Sequence, residues 1–194
     1  MNWRSPAGAL LSVLVVAALA FGSWLETVLP STDDILDKPF EHHARIDDQV
    51  EMREVKLRVR SVRAASSVVS EDDDRYRTTG VFLVADVVFM STRDPVRLSN
   101  MQVRTTSGRL YAESVTRNSC GPSQTGVPVR CVVAFEIPER DLAGAKLLIP
   151  TPRGDITGGD DLAVIDLGIV DGSALLDREQ SGVKLTDATY WEDQ

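Results

Sequence analysis

The side chains able to do chemistry are few and poorly spaced for it. The two histidines, His42 and His43, are adjacent. Neighbours on an extended strand point to opposite faces, so the pair cannot readily share one metal ion. With no other histidine, a Ser-His-Asp or Cys-His arrangement has nothing beyond this pair to draw on. Ser181 and Lys184 fit Ser-x-x-Lys, but the companion Ser-Asp-Asn and Lys-Thr-Gly elements are absent. Two acid runs, Glu71–Asp74 and the stretch Gly154–Asp161, carry hard oxygen donors of the kind calcium prefers. Neither has the alternating acid spacing of a calcium loop, so both are expected to be solvated. No glycine-rich phosphate loop follows a strand, and no zinc-protease motif occurs. These patterns assign no catalytic residue, no metal ligand and no cofactor. An enzyme is therefore not expected. A glycosidase working through two carboxylates about 5–10 Å apart is the one hydrolase that sequence spacing leaves open.

The remaining reactive pair is Cys120 and Cys131, the only cysteines in the chain. Ten residues between them, and no further ligands, exclude a CxxC redox pair or a zinc site. The intervening Gly121, Pro122, Gly126 and Pro128 let the chain fold back on itself. A structural disulfide is the expectation, and a pair of buried free thiols is the alternative. The choice depends on compartment, because disulfides persist outside the cytosol and not within it.

The compartment is indicated by Ala7–Leu25, nineteen residues without a charge. As a helix this stretch covers about 28 Å, close to the roughly 30 Å hydrocarbon core of a bilayer. Trp3 and Trp24 lie near its ends, where amphipathic rings favour the headgroup level. Arg4 precedes it, while Glu26, Asp33, Asp34 and Asp37 follow. The positive-inside rule then leaves the amino terminus in the cytoplasm and exports the rest. Residues 1–25 read as an uncleaved single-pass anchor, with residues 7–25 in the lipid. A signal peptide cleaved after the small residues Ala18-Leu19-Ala20 is the alternative, and it also exports the chain. Residues 26–40, acidic and holding two prolines, read as a stalk.

From residue 41 to 194 the pattern has a period of two. In EVKLRVR, Val55, Leu57 and Val59 fall on one face and Lys56, Arg58 and Arg60 on the other, as in a half-buried strand. Ser66–Gly80 reads as a loop. Val81–Met90 is apolar on both faces except at Asp86, which suits a central strand. Two strands flanking Ser107-Gly108 make a plausible hairpin. VRCVVAFEIP, AKLLIP and LAVIDLGI follow as strands, and the tail through GVKLTDATYW adds a last one. Phe82, Phe89, Tyr111 and Phe135 are expected in the core. Seven or eight short strands with no helical spacing between them imply an all-β antiparallel sandwich.

The segments GVFLVADVVF, VRTTSGRLYAES, VPVRCVVAFEIP and AVIDLG together resemble the immunoprotective extracellular, immunoglobulin-like domains found on anchored or secreted proteins of Gram-positive bacteria. Gly108, Arg109 and Tyr111 match that family's hairpin, and Phe135, Glu136 and Pro138 match its strand end. The likeness spans roughly residues 50–170. It implies an immunoglobulin-like β-sandwich displayed outside the cell, and transfers no catalytic residue. An acidic balance, 29 Asp+Glu against 21 Lys+Arg, argues against nucleic acid as a partner. The expected role is a protein-binding or structural accessory at the cell envelope. A sensor for a small molecule or calcium is the alternative, and an envelope hydrolase is the third reading.

Overall fold

A computed structural model describes residues 6–28, 38–112, 120–152, 154, 156, 160–176 and 179–191. The chain divides into two compact units, residues 1–38 and 39–194. The first contains helix α1, Pro6–Val28. Leu10–Val28 is long and apolar enough to cross a membrane, and none of it is buried within the protein. Large exposed apolar side chains such as Leu14, Leu19, Phe21 and Trp24 cover the helix on every side, a surface suited to lipid and not to water. Most of the expected stalk, 29–37, lies outside the described residues.

The second unit is built from strands. In chain order these are β1 (Phe40–Arg45), β2 (Gln49–Glu51), β3 (Val55–Val69), β4 (Arg75–Ser91), β5 (Val96–Leu98), β6 (Gln102–Arg104) and β7 (Leu110–Ala112). Then come β8 (Cys120–Ser123), β9 (Val129–Ile137), β10 (Lys146–Pro150), β11 (Asp161–Asp166), β12 (Val183–Lys184) and β13 (Thr186–Tyr190), with a short helix α2 (Gly172–Leu176) before β12. One sheet runs β1-β11-β10-β6-β7 and the other β12-β3-β4-β9-β13, with β2 also on β3; β5 and β8 pair separately. The expected all-β sandwich is therefore present. Most pairs are antiparallel, but two edge strands join in parallel, β1 on β11 and β12 on β3.

Alternation explains the two layers. Val55, Leu57 and Val59 of β3, Val81, Leu83, Ala85, Val87 and Phe89 of β4, and Val133, Phe135 and Ile137 of β9 all enter one large buried cluster. Val103, Leu147, Ile149, Ala163 and Ile165 from the facing sheet complete it. Ser107-Gly108 turns between β6 and β7 as expected, with Gly108 at φ +80°, where a side chain would be strained.

The first half of Val81–Met90 is apolar on both faces because its second face is covered as well. Phe82, Val84, Val132 and Ala134 on the outer face pack with Ala65, Val68, Val183 and Leu185 in a separate buried cluster. Leu185 is the single residue between β12 and β13, yet these strands lie at opposite ends of the sheet order. Lys184 pairs with Val69 and Thr186 with Val132. Two residues span at most about 7 Å, so the far end of the β3–β4 hairpin must curl round toward β9. Two register shifts in β3, at Val59/Ser61 and Ala65/Ser67, provide the bends.

This corrects the loop expected over Ser66–Gly80: the hairpin continues as strand to Val69 and from Arg75, and only residues 70–74 turn. The alternation there was hidden because Val68 is covered by a distant segment, while Arg75–Arg77 face solvent. The stretch Val96–Arg104 also departs from expectation. It breaks at Asn100, φ +57°, into β5 and β6, which belong to different sheets.

Candidate ligand-binding groove

The expected site residues are placed as follows. Cys120 and Cys131 form a disulfide between β8 and β9, and neither is exposed to solvent. A Cβ on Gly121 would meet the Val96 backbone oxygen at 2.9 Å, so the neighbouring glycine lets β8 lie close against β5. His42 and His43 lie on β1 and have separate partners: His42 Nε2 is 2.9 Å from Asp161 Oδ1, and His43 Nε2 is 3.0 Å from Glu41 Oε2. Among the described residues no three His, Cys, Asp or Glu side chains are grouped to hold a metal ion.

The acid runs are engaged structurally. Glu71 accepts a hydrogen bond from the Asp187 backbone N–H at 2.5 Å, and Asp73 pairs with Lys184 at 3.1 Å, so the hairpin tip clasps the C-terminal segment. Lys184 is thereby used as a tether, while Ser181 is exposed. In the second run, Asp161 binds His42 and the Arg53 backbone N–H, and Asp160 lies 3.4 Å from the Arg53 guanidinium. Although burial opposes ionisation of Asp161, its hydrogen bonds from His42 and Arg53 and their charges hold it below the ordinary 3.8. Residues 155 and 157–159 of that run lie outside the described residues.

The residues that suggested a family resemblance are packing devices. Arg109 and Tyr111 on the β6–β7 hairpin both reach Asp141, at 3.1 and 2.5 Å. The Tyr111 hydroxyl, with Arg109 adding to it, holds the Asp141 carboxyl below its usual range despite partial desolvation. The same bond to Asp141 pushes the Tyr111 hydroxyl up. Phe135 is fully buried, and Pro138 opens the 3-10 turn Glu139–Asp141 that presents Asp141. Phe82 and Phe89 are buried as expected, and Tyr111 is partly buried against the main core.

What sequence reasoning missed is a groove on the outer face of the β3–β4–β9 sheet. The C-terminal segment and the curled hairpin cover one half of this face and leave the other open. The open half is a cavity of about 220 Å³ lined by Gln49, Lys56, Arg58, Arg60, Val88, Met90, Pro128 and Trp191, among others. Trp191 forms a wall, its main chain held where the backbone N–H donates to the Pro128 carbonyl at 3.0 Å. The Arg60 guanidinium lies 4.6 Å from the Trp191 ring centroid and that of Arg130 5.5 Å, both within cation–π range. Asp86, the polar interruption in β4, grips Arg130 through two bonds of 2.8 and 2.7 Å. That bidentate pair raises the Arg130 pKa further and keeps the guanidinium in place beside the indole. Lys56 pairs with Glu51 at 3.1 Å and Arg58 with Asp47 at 3.7 Å, both pairs largely open to water. Two signals could have pointed here: the Lys56-x-Arg58-x-Arg60 row on the polar face of β3, and an aromatic residue closing the final strand.

No protein-family model and no curated protein matches the chain. Solved structures are similar at low identity. The yjhA protein of Bacillus subtilis is 11% identical, over 63% of this chain and 99% of its own, with a TM-score of 0.43. An uncharacterized β-sandwich protein from Clostridium difficile is 13% identical, over 72% of this chain and 99% of its own, with a TM-score of 0.40. The ycdA protein of Bacillus subtilis is 14% identical, over 67% of this chain and 41% of its own, with a TM-score of 0.41.

Proposed function

We propose that the chain is an exported β-sandwich, held at the membrane by α1, that serves as a non-catalytic binding module for a protein partner at the cell envelope. The observation that carries this reading is the half-open outer face of the β3–β4–β9 sheet. One half is sealed by Val183 and Leu185, and the other presents Val88 and Met90 between cationic side chains and Trp191. A tryptophan backed by arginines at an open apolar patch is the composition of an interface hot spot. The apolar helix and the disulfide support export: an uncleaved anchor suits the unbroken apolar stretch through Leu25, and oxidised Cys120–Cys131 suits a compartment outside the cytosol. Within this reading the immunoglobulin-like family remains the expected affiliation.

Photo-crosslinking in intact cells tests it. A photoreactive side chain replacing Gln49, at the groove, should capture a discrete protein that the same group at the exposed, distant Arg140 does not. Recovery of no protein from Gln49, or equal recovery from both positions, would refute the assignment.

A further inference from the structure

The groove has a definite chemical bias, and we infer that its occupant is an extended acidic segment of the partner protein. This rests on the reading of the groove as a protein-binding site. Lys56 and Arg58 are alternate residues of β3 on its outer face, separated by about 6.6 Å along the strand. That repeat matches the spacing of alternate side chains on a second extended chain. Arg60 follows at the register shift and leans against Trp191.

All charged groups that face the groove bear on the argument. Arg130 is committed to Asp86 in a short bidentate pair. Lys56 and Arg58 are held only by exposed, single-contact pairs to Glu51 and Asp47 at the rim. Exposed pairs of this kind contribute little to stability, so carboxylates of a ligand can displace them. Arg60 has no carboxylate partner among the described residues; its charge rests on the indole face. The site thus offers one standing cation and two exchangeable ones in a chain whose net charge is −8. Charge complementarity selects an anion.

Shape and polarity narrow the class. Val88 and Met90, alternate residues of β4, form an apolar floor beside the cations, with Pro128 and Trp191 as its wall. A phosphate polymer has no apolar group to place on that floor, whereas a peptide carries carboxylates and apolar side chains together. At about 220 Å³ the groove is smaller than the roughly 300–1,000 Å³ of small-molecule sites, which suits one or two side chains of a larger partner. The occupant is an extended peptide with acidic residues flanking an apolar one.

The test uses the full chain in zwitterionic lipid nanodiscs, with Trp3→Phe and Trp24→Phe leaving Trp191 as the only tryptophan of three. The probe is an end-blocked hexapeptide alternating glutamate with leucine. It should change Trp191 emission saturably, weaken with added salt, and lose at least tenfold in affinity when glutamate is replaced by glutamine. Arg60→Glu should cost at least tenfold. Lys56→Glu, on the exposed side of the strand, should weaken binding in the same direction and guards against misfolding of the first variant. Equal binding of the glutamine peptide, tighter binding of inorganic polyphosphate than of the peptide, or indifference to both substitutions would overturn the inference. Crosslinking from Gln49 to a protein that succeeds while the acidic probe fails would leave the binding module standing and remove only the ligand class.

Discussion

Removing the disulfide should weaken the sandwich by an amount set mainly by the unfolded chain. Cys120 and Cys131 are eleven positions apart, so the bond closes a loop of about twelve residues in any denatured state. In the chain-entropy model that closure is worth roughly 3 kcal/mol at 25 °C. Both cysteines are fully buried, Cys120 and Cys131 each at 0% exposure. Serine would therefore add buried hydroxyls of its own, and the cleaner perturbation is Cys120→Ala with Cys131→Ala. For a domain of this size each kcal/mol shifts the melting temperature by about 2–4 °C, so the double variant should melt roughly 6–12 °C lower. The assay is urea and thermal unfolding of the wild type, the double variant and the wild type with reductant, followed by circular dichroism. Reductant should bring the wild type down to the variant and leave the variant unchanged. The denaturant slope should also rise in both, because an uncrosslinked denatured chain exposes more surface. An unchanged midpoint on reduction, with the bond shown to be open, would falsify the reasoning.

Three further outcomes follow from named contacts. Leu185→Ala, at the seal between the curled hairpin and the outer sheet face, should cost about 2–4 kcal/mol in urea unfolding; a loss below about 1 kcal/mol would mean the second cluster is loosely packed. Acid unfolding should begin below the ordinary carboxylate value of 3.8, because Asp141 and Asp161 are both held lower than that in the fold. A depressed carboxyl stabilises the fold above its unfolded pKa, and that contribution fades as pH falls through the folded value. Asp141→Asn should accordingly flatten the stability–pH curve below 3.8, and an unaltered slope would contradict the Tyr111–Asp141–Arg109 assignment. Asp86→Ala should release Arg130 and shift Trp191 emission; unchanged emission would separate the salt bridge from the positioning of the indole.

Local patterns carried much of this architecture. The alternation of Val55, Leu57 and Val59 against Lys56, Arg58 and Arg60 identifies both the buried and the exposed face of β3, because a strand has a side-chain period of two. The apolar run Val81–Met90, interrupted only at Asp86, signals coverage on both sides, and the outer face is covered at Phe82 and Val84 but left open at Val88 and Met90. What alternation does not encode is which distant segment supplies the cover. Val183 and Leu185 sit in a polar tail with only two apolar residues in register, too short a pattern to announce a seal over Phe82 and Val84. The parallel pairing of β1 with β11 joins residues about 120 positions apart, with nothing local to mark it. The acid run Glu71–Asp74 is exposed, as expected; what it did not announce is its partners, Lys184 and the Asp187 backbone, which arrive from the far end of the chain. The groove was hidden for the same reason. Its cations belong to β3, its floor to β4 and its wall to Pro128 and Trp191, and only the folded sheet brings them together.

Protease accessibility of the carboxyl terminus in intact cells is the most direct test of the account, because binding at the envelope requires the sandwich to be outside. With an epitope fused after Gln194, added protease should remove the epitope from unbroken cells and leave a cytoplasmic control protein intact. An epitope protected until the cells are lysed would contradict export, and with it the proposed role.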